Sequence, residues 1–313
     1  MNRALRGRFA PSPSGRMHLG NLFSALLAWL SVRAAGGTLV LRIEDLDPDR
    51  CREEYVRQLA DDLEWLGLDW DEGYGRGGPH GPYHQSRRTE RYAQAFYRLD
   101  ELGILYPCFC TRAERLAASA PHRSDGLAVY SGKCRTLSAA EREALERRRR
   151  PAWRAAVPDR ETAFVDGLQG AYAENLLRDG GDFIVRRSDG VYAYQLAVVT
   201  DDAEAGVTQV VRGSDLLSST PRQIWLQRQL GFPEPAYYHV PLLVAPDGRR
   251  LSKRERDLDM GALRERYTPQ ALLGLLAHAC GLLSHSEAVR ADELAGEFSW
   301  QMVRKENIVI ANP

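Results

Sequence analysis

Three groups of residues carry types and spacings that chemistry could use. The first is Pro11 to Asn21, PSPSGRMHLGN, in which Pro, Ser and Gly interrupt regular structure before an apolar run begins. A loop leading from a strand's carboxyl end into a helix's amino end is where open α/β sheets take ligands, and the helix N–H groups there favour phosphate. His18 stands just ahead of that helix; a lone loop histidine is more often unremarkable than catalytic, and PSPSG alone is weak evidence. The second group is Leu251-Ser252-Lys253, in the polar loop PDGRRLSKR. The chain has only three lysines, Lys133, Lys253 and Lys305, against thirty-nine arginines. A lysine in such a loop fits a role for a compact, mobile ammonium facing a phosphate.

The third group is a set of thiols. Cys108 and Cys110 form C-x-C, and Cys134 follows twenty-four residues after Cys110. Five cysteines in 313 residues argue against a disulfide framework. Three reduced thiols brought together are a structural zinc site short of one ligand. His122 and Tyr130 are the two candidates for the fourth; histidine is the commoner zinc ligand in general, and three unliganded buried thiols are the plainer alternative. Cys51 and Cys280 are isolated and read as ordinary core or surface residues.

These groups need a scaffold, and the chain is long enough for two domains or for one with an insertion. With 44% hydrophobic and 27% charged residues, neither disorder nor a disulfide-stapled scaffold fits. Forty-two basic residues balance forty-two acidic ones, so a polyanionic partner would have to be met by a local basic stripe. The N-terminus MNRALRGRFAPS has no apolar core of a signal peptide, and the stretches Leu22 to Val32 and Ala271 to Leu283 are too short to span a bilayer. A cytoplasmic protein with no membrane partner is expected.

The first forty-five residues alternate strand (Arg6 to Ala10), loop, helix (Leu22, Leu26 and Leu30 on one face) and strand (TLVLRIED), a βαβ pattern that predicts a parallel sheet. Helices follow before Gly67 and before Gly103. Cys108 to about Arg150 is rich in Arg, Ala and Ser and reads as an insertion. The run Arg147 to Arg150 ends a helix there and is either a solvated C-terminus or a phosphate contact. DFIVRR and VYAYQLAVV read as two strands joined by a turn at Ser188-Asp189-Gly190. VTQVVRG and AYYHVPLLV are further strands flanking the helix TPRQIWLQRQLG. Thr268 caps a helix that opens at Pro269 and stops near Gly281.

Eight stretches, RFAPSPSGRMHLGN, RIEDLDPDR, GLDWDEG, YHQSRR, YAYQLAVVTDD, VVRGSDLLSSTPRQ, HVPLL and RLSKR, follow one another in the order found in bacterial glutamyl-tRNA synthetases, which are class I enzymes. Over residues 6 to about 255 the chain resembles that family. His18-Leu19-Gly20-Asn21 matches its HIGH signature, with Asn21 in place of the second histidine. Arg250-Leu251-Ser252-Lys253-Arg254 matches KMSKS, with Arg250 where a lysine is usual. Fifty-nine residues follow Arg254, and helical anticodon-reading domains need on the order of 150. The chain is therefore similar to the truncated paralogues, the glutamyl-Q tRNA(Asp) synthetases. That resemblance implies ATP-dependent activation of L-glutamate without tRNA, and transfer of the glutamate to the queuosine at the wobble position of tRNA(Asp). A minimal glutamyl-tRNA synthetase charging a 3′ end, or a non-catalytic tRNA-binding paralogue, are the alternatives.

The resemblance also implies a fold and a site. The fold is α/β: a Rossmann-type parallel sheet of class I synthetases with a zinc-binding insertion and a short C-terminal helical domain. Its parts are expected at 1–107 and 179–245 (the two catalytic halves), 108–178 (the insertion) and 246–313 (signature loop and helical part), with no anticodon-binding domain. ATP, with Mg2+ held by its own phosphates, would meet Pro11, His18, Gly20, Asn21, Ser252 and Lys253, of which His18 and Lys253 serve catalysis. Glutamate would meet Arg8, Phe9, Ala10, Pro11, Ser12, Glu44, Tyr194 and Arg212. The arginines suit its γ-carboxylate, and Glu44 suits its ammonium. One structural zinc would be held by Cys108, Cys110, Tyr130 and Cys134, because the family pattern C-x-C…Y-x-x-x-C places tyrosine fourth.

Overall fold

A computed structural model describes residues 4–111, 120–121, 128–249 and 259–310. Strand β1 (Arg6–Phe9), helix α1 (Leu19–Ala34) and strand β2 (Thr38–Leu41) form the expected parallel βαβ unit, with Arg6 to Phe9 in register with Thr38 to Leu41. Gly7 allows the close fit: a Cβ there would lie 2.5 Å from Val32 Cγ2 on α1.

Next come α2 (Glu53–Trp65), β3 (Glu72–Gly73), α3 (Thr89–Glu101) and β4 (Leu105–Cys108). They are followed by β5 (Ala120–Pro121), β6 (Ala128–Val129), α4 (Ala139–Glu146), β7 (Ala152–Ala155), the hairpin β8 (Glu161–Asp166) with β9 (Gly170–Asn175), and β10 (Phe183–Arg186). The chain then runs through α5 (Tyr194–Glu204), β11 (Gln209–Gly213), α6 (Thr220–Leu230), β12 (Ala236–Val240) and β13 (Leu243–Val244). The last described elements are α7 (Met260–Arg266), α8 (Pro269–Cys280), α9 (Ala291–Glu297) and β14 (Ile308–Val309).

The five-stranded parallel sheet has the order β12-β11-β1-β2-β3. From β1 the chain builds outward through β2 and β3, and later returns to the other side of β1 with β11 and β12. The strand order therefore reverses between β1 and β11, and the crevice outside the carboxyl ends of these two strands is the natural ligand position of such a sheet. An antiparallel sheet, β10-β7-β4, stands apart from it.

One expected strand is a helix. After the turn, where Gly190 has φ 94° and Arg187 N–H donates to the Val191 carbonyl, only Arg186 and Tyr192 continue the pairing. The rest of VYAYQLAVV enters α5, whose residues from Leu196 to Asp202 are all buried. A segment covered on every side shows no amphipathic period, so its Tyr and Val content reads as strand while packing makes it helix.

At the far end the start and stop residues act as expected: Thr268 Oγ1 accepts from Ala271 N at 3.3 Å, and Gly281 closes α8 in the left-handed conformation at φ 95°. The buried side chains of α7, α8 and α9 join the same apolar core as α1. Buried Asp62 of α2 accepts from Arg264 of α7 at 2.8 Å, tying α7 to α2. Arg147 follows α4 and pairs with Glu143 at 3.0 Å on an exposed face. Among the described residues no helix is long and apolar enough to cross a membrane.

Candidate active site

The crevice at the β1/β11 switch point is a cleft of about 450 Å³. Strand β1 and the loop after it contribute Arg8, Phe9, Ala10, Pro11 and Ser12; the start of α1 contributes His18, Gly20 and Asn21. Glu44, Tyr194 and Arg212 close the far side. Among the described residues, every one expected to bind nucleotide or glutamate lines this one space. Ser252 and Lys253 lie outside the described residues. Asp259 forms a backbone bridge with His18, and Met260 N–H donates to the Met17 carbonyl at 2.9 Å.

His18 is the N-cap of α1. Its Nδ1 accepts from Gly20 N at 3.2 Å and Asn21 N at 3.4 Å, while Asn21 Oδ1 accepts from His18 N at 3.3 Å. This reciprocal cap satisfies N–H groups that a helix start otherwise leaves unpaired. It also accounts for an amide at position 21, which completes the box. Because Nδ1 accepts, the neutral ring carries its proton on Nε2.

Behind the cleft lies a buried ion network. Arg42 Nη1 donates to Asp202 Oδ1 at 2.6 Å and Nη2 to Glu44 Oε1 at 3.1 Å. Arg8 Nε lies 3.4 Å from Asp202 Oδ1, and Arg8 Nη1 donates to the Val211 carbonyl at 3.1 Å. Burial alone would raise the Asp202 carboxyl, but Arg42 and Arg8 hold it below the ordinary range. Burial pushes Glu44 up, with Arg42 and Arg8 opposing. Next to Asp202, Asp201 accepts from Arg88 Nε at 2.6 Å and Gln85 Nε2 at 2.7 Å. The network fixes the backs of Arg8 and Glu44 while their line of approach to the cleft is kept.

Arg212 is held just as firmly. Its Nε donates to His239 Nε2 at 3.0 Å, its Nη2 to Thr220 Oγ1 at 2.8 Å, and its Nη1 lies 3.4 Å from the Tyr194 hydroxyl. His239 Nδ1 in turn meets Asp166 Oδ2 at 2.6 Å. Burial pushes the Tyr194 phenol up, so it stays a neutral hydroxyl.

Arg42, Asp202, His239 and Asp166 were not among the residues picked out from sequence. Three of them lie inside quoted stretches, RIEDLDPDR, TDD and HVPLL. A charged residue directly after the buried run TLVL was a usable sign for Arg42, since buried charge is rare unless paired. Asp166 offered no sign, because its partner is seventy-three positions away.

The thiols also converge. The Sγ atoms of Cys108, Cys110 and Cys134 lie within 4.8 Å of one another. Tyr130 Oη is 3.6 Å from both Cys108 Sγ and Cys110 Sγ, and accepts from Cys134 N at 2.9 Å. Arg154 covers the cluster, its guanidinium 3.7 Å from the Tyr130 ring centre and its Nε 3.3 Å from Cys108 Sγ. His122 lies outside the described residues.

A parallel sheet with its ligand cleft at the switch point and a histidine-capped helix under it defines a class I catalytic core. Residues 4–312 match the family described as tRNA synthetases class I (E and Q), catalytic domain, and the chain belongs to that family. Among curated relatives, a glutamyl-Q tRNA(Asp) synthetase of Symbiobacterium thermophilum is 52% identical over 311 residues, covering 98% of this chain and 96% of that protein. One of Nitratidesulfovibrio vulgaris is 54% identical over 282 residues, covering 89% and 87%. Among solved structures, a glutamate tRNA ligase from Elizabethkingia meningosepticum in complex with its amino acid superposes with a TM-score of 0.84 at 29% identity, covering 99% of this chain and 68% of that one.

Proposed function

We propose that the chain activates L-glutamate with ATP, without needing tRNA, and transfers it to the queuosine at the wobble position of tRNA(Asp). The reaction follows the names of relatives that are 52% and 54% identical. The observation that carries the site is the convergence of Arg8, Glu44, Tyr194 and Arg212 with the helix start at His18 in one cleft. A small acid with two carboxylates and one ammonium needs cations at one end and an anion nearby, beside a place for phosphate.

In the first step the α-carboxylate of glutamate attacks the α-phosphorus of ATP, the bond to the bridging oxygen breaks, and pyrophosphate leaves. The carboxylate is already ionised, so the protein's work is positioning and charge neutralisation. Arg8 and Arg212 take the γ-carboxylate and Glu44 the ammonium, with Ser12 and Tyr194 fixing orientation. His18, Gly20 and Asn21 bring the helix N-terminus to the phosphates, and Ser252 and Lys253 close over them. In the second step a queuosine hydroxyl attacks the acyl carbonyl of the adenylate, and AMP leaves.

Cys108, Cys110, Cys134 and Tyr130 form a three-sulfur, one-oxygen donor set of the kind that suits zinc. Burial pushes the Cys110 thiol up to about 11; a divalent cation would reverse that balance by taking the thiolates as ligands. The role is structural: the cluster ties β4 to the segment leading to α4, stabilising the insertion between the catalytic halves, and a reducing cytoplasm suits its thiols. Helices α7 to α9 serve as the short C-terminal helical part.

The test uses labelled glutamate. Glutamate-dependent ATP–pyrophosphate exchange is expected without tRNA. Label is expected on tRNA(Asp) that carries queuosine, and neither on tRNA(Asp) lacking it nor on tRNA(Glu). Label on tRNA(Glu) alone, or queuosine-independent label on tRNA(Asp), overturns the assignment.

A further inference from the structure

Three buried side chains behind the cleft form a line with a direction. Arg212 Nε always carries a hydrogen, so His239 Nε2, 3.0 Å away, must accept it. The imidazole proton is then on Nδ1, pointing at Asp166 Oδ2 at 2.6 Å. Asp166 is itself fixed: its Oδ1 accepts from the backbone N–H groups of Leu168 at 3.0 Å, Gln169 at 2.8 Å and His239 at 3.1 Å. The ring is fully buried, near-parallel to that of Tyr237 at 14° with centroids 6.2 Å apart, and 6.4 Å from that of Phe164.

We infer that Asp166 and His239 are positioning residues for glutamate: Asp166 selects the His239 tautomer that accepts from Arg212, and so aims the Arg212 Nη groups into the cleft. The inference rests on Arg212 as a glutamate ligand. It ties the hairpin of β8 and β9 to amino-acid recognition through β12, although neither residue lines the cleft.

Asp166→Asn discriminates sharply because it is isosteric. The Leu168 and Gln169 N–H groups use Oδ1 alone and the His239 N–H is shared between Oδ1 and Oδ2, so the amide oxygen takes the Oδ1 place and the NH2 replaces Oδ2. The NH2 donates to His239 Nδ1, and the ring proton moves to Nε2, where it faces the Arg212 Nε–H. The Nε2–H can then turn only to Thr220 Oγ1, 3.1 Å away, which Arg212 Nη2 already uses. Arg212 loses the His239 acceptor and must share Thr220 Oγ1, keeping only the longer contact to Tyr194 to itself.

Pyrophosphate exchange at varied glutamate and ATP tests this. Asp166→Asn and His239→Leu are expected to raise the glutamate KM about tenfold or more and to leave the ATP KM within about twofold, as fits the loss of one hydrogen bond to a charged donor. His239→Gln, whose amide oxygen still accepts from Arg212, should recover most of the loss. An unchanged glutamate KM in Asp166→Asn, or an equal rise for ATP, overturns the inference. Histidine 15N spectra give a readout that does not depend on the reaction, with the His239 signals assigned by their absence from His239→Gln. Protonated Nδ1 in the wild type, inverted in Asp166→Asn, supports the relay, and protonated Nε2 in the wild type refutes it. A wild type with that Nδ1–H pattern but no glutamate exchange would overturn the glutamate role alone.

Discussion

Arg42 Nη1 donates to Asp202 Oδ1 at 2.6 Å, joining the end of β2 to α5 through two buried side chains. Such a pair is a weak stabiliser as a whole, because desolvation offsets much of its attraction, but removing one partner strands the other's charge. Asp202→Ala removes the carboxylate that pairs with Arg8 and leaves Arg42 with Glu44 and Asp201 alone. Urea unfolding should show a loss of about 3–5 kcal/mol; a loss below about 1 kcal/mol would mean the charges are rehydrated and the network is not a unit.

The two roles of His18 can be separated. Asn is a good N-cap, so His18→Asn should keep stability within about 0.5 kcal/mol of wild type, whereas His18→Ala should lose about 1 kcal/mol. Both should slow pyrophosphate exchange, on the order of a hundredfold, if the ring meets the developing charge on phosphate. Unimpaired exchange in His18→Asn would leave the histidine a cap alone.

Metal analysis of purified protein should find one zinc per chain. Cys110→Ser should remove it and Tyr130→Phe should weaken its retention against a chelator, while His122→Ala leaves both unchanged. Equal zinc in wild type and Cys110→Ser would dismiss the site, and loss in His122→Ala would make histidine the fourth ligand in place of Tyr130.

Burial holds His239 below the ordinary histidine range, with Asp166 only partly offsetting it. The unfolded chain therefore takes up a proton as pH falls through about 6.5, while the folded one does so only at lower pH, and stability falls over that window. Asp166 acts in the same sense lower down: burial would raise it, but His239 and the backbone donors hold it low, so its contribution fades as pH drops below about 3.9. Unfolding free energies from urea titrations between pH 7 and 5 should fall more steeply in wild type than in His239→Gln, by at most about 1.4 kcal/mol per pH unit. Parallel slopes would show that His239 is not kept neutral by the fold.

The sequence determined whatever is carried by neighbours in the chain. PSPSGRMHLGN specified a loop, a cap and a helix start, because capping joins residues three positions apart; Thr268, Pro269 and Gly281 bounded α8 for the same reason. Ordered stretches from RFAPSPSG to HVPLL also carried the resemblance that named the charged side chains of the cleft expected to meet glutamate, Arg8, Glu44 and Arg212. The tertiary structure decided what depends on burial and distant pairing. It made Tyr194 to Glu204 a helix whose middle, Leu196 to Asp202, is buried on every side, and with that brought Asp201 and Asp202 beneath Arg42. It set Asp166 against His239, and His239 against Arg212, across twenty-seven to seventy-three positions of chain. A buried charge reveals its partner only once folding has removed water from both, and so the groups that line the cleft were legible in advance while those that hold them in place were not.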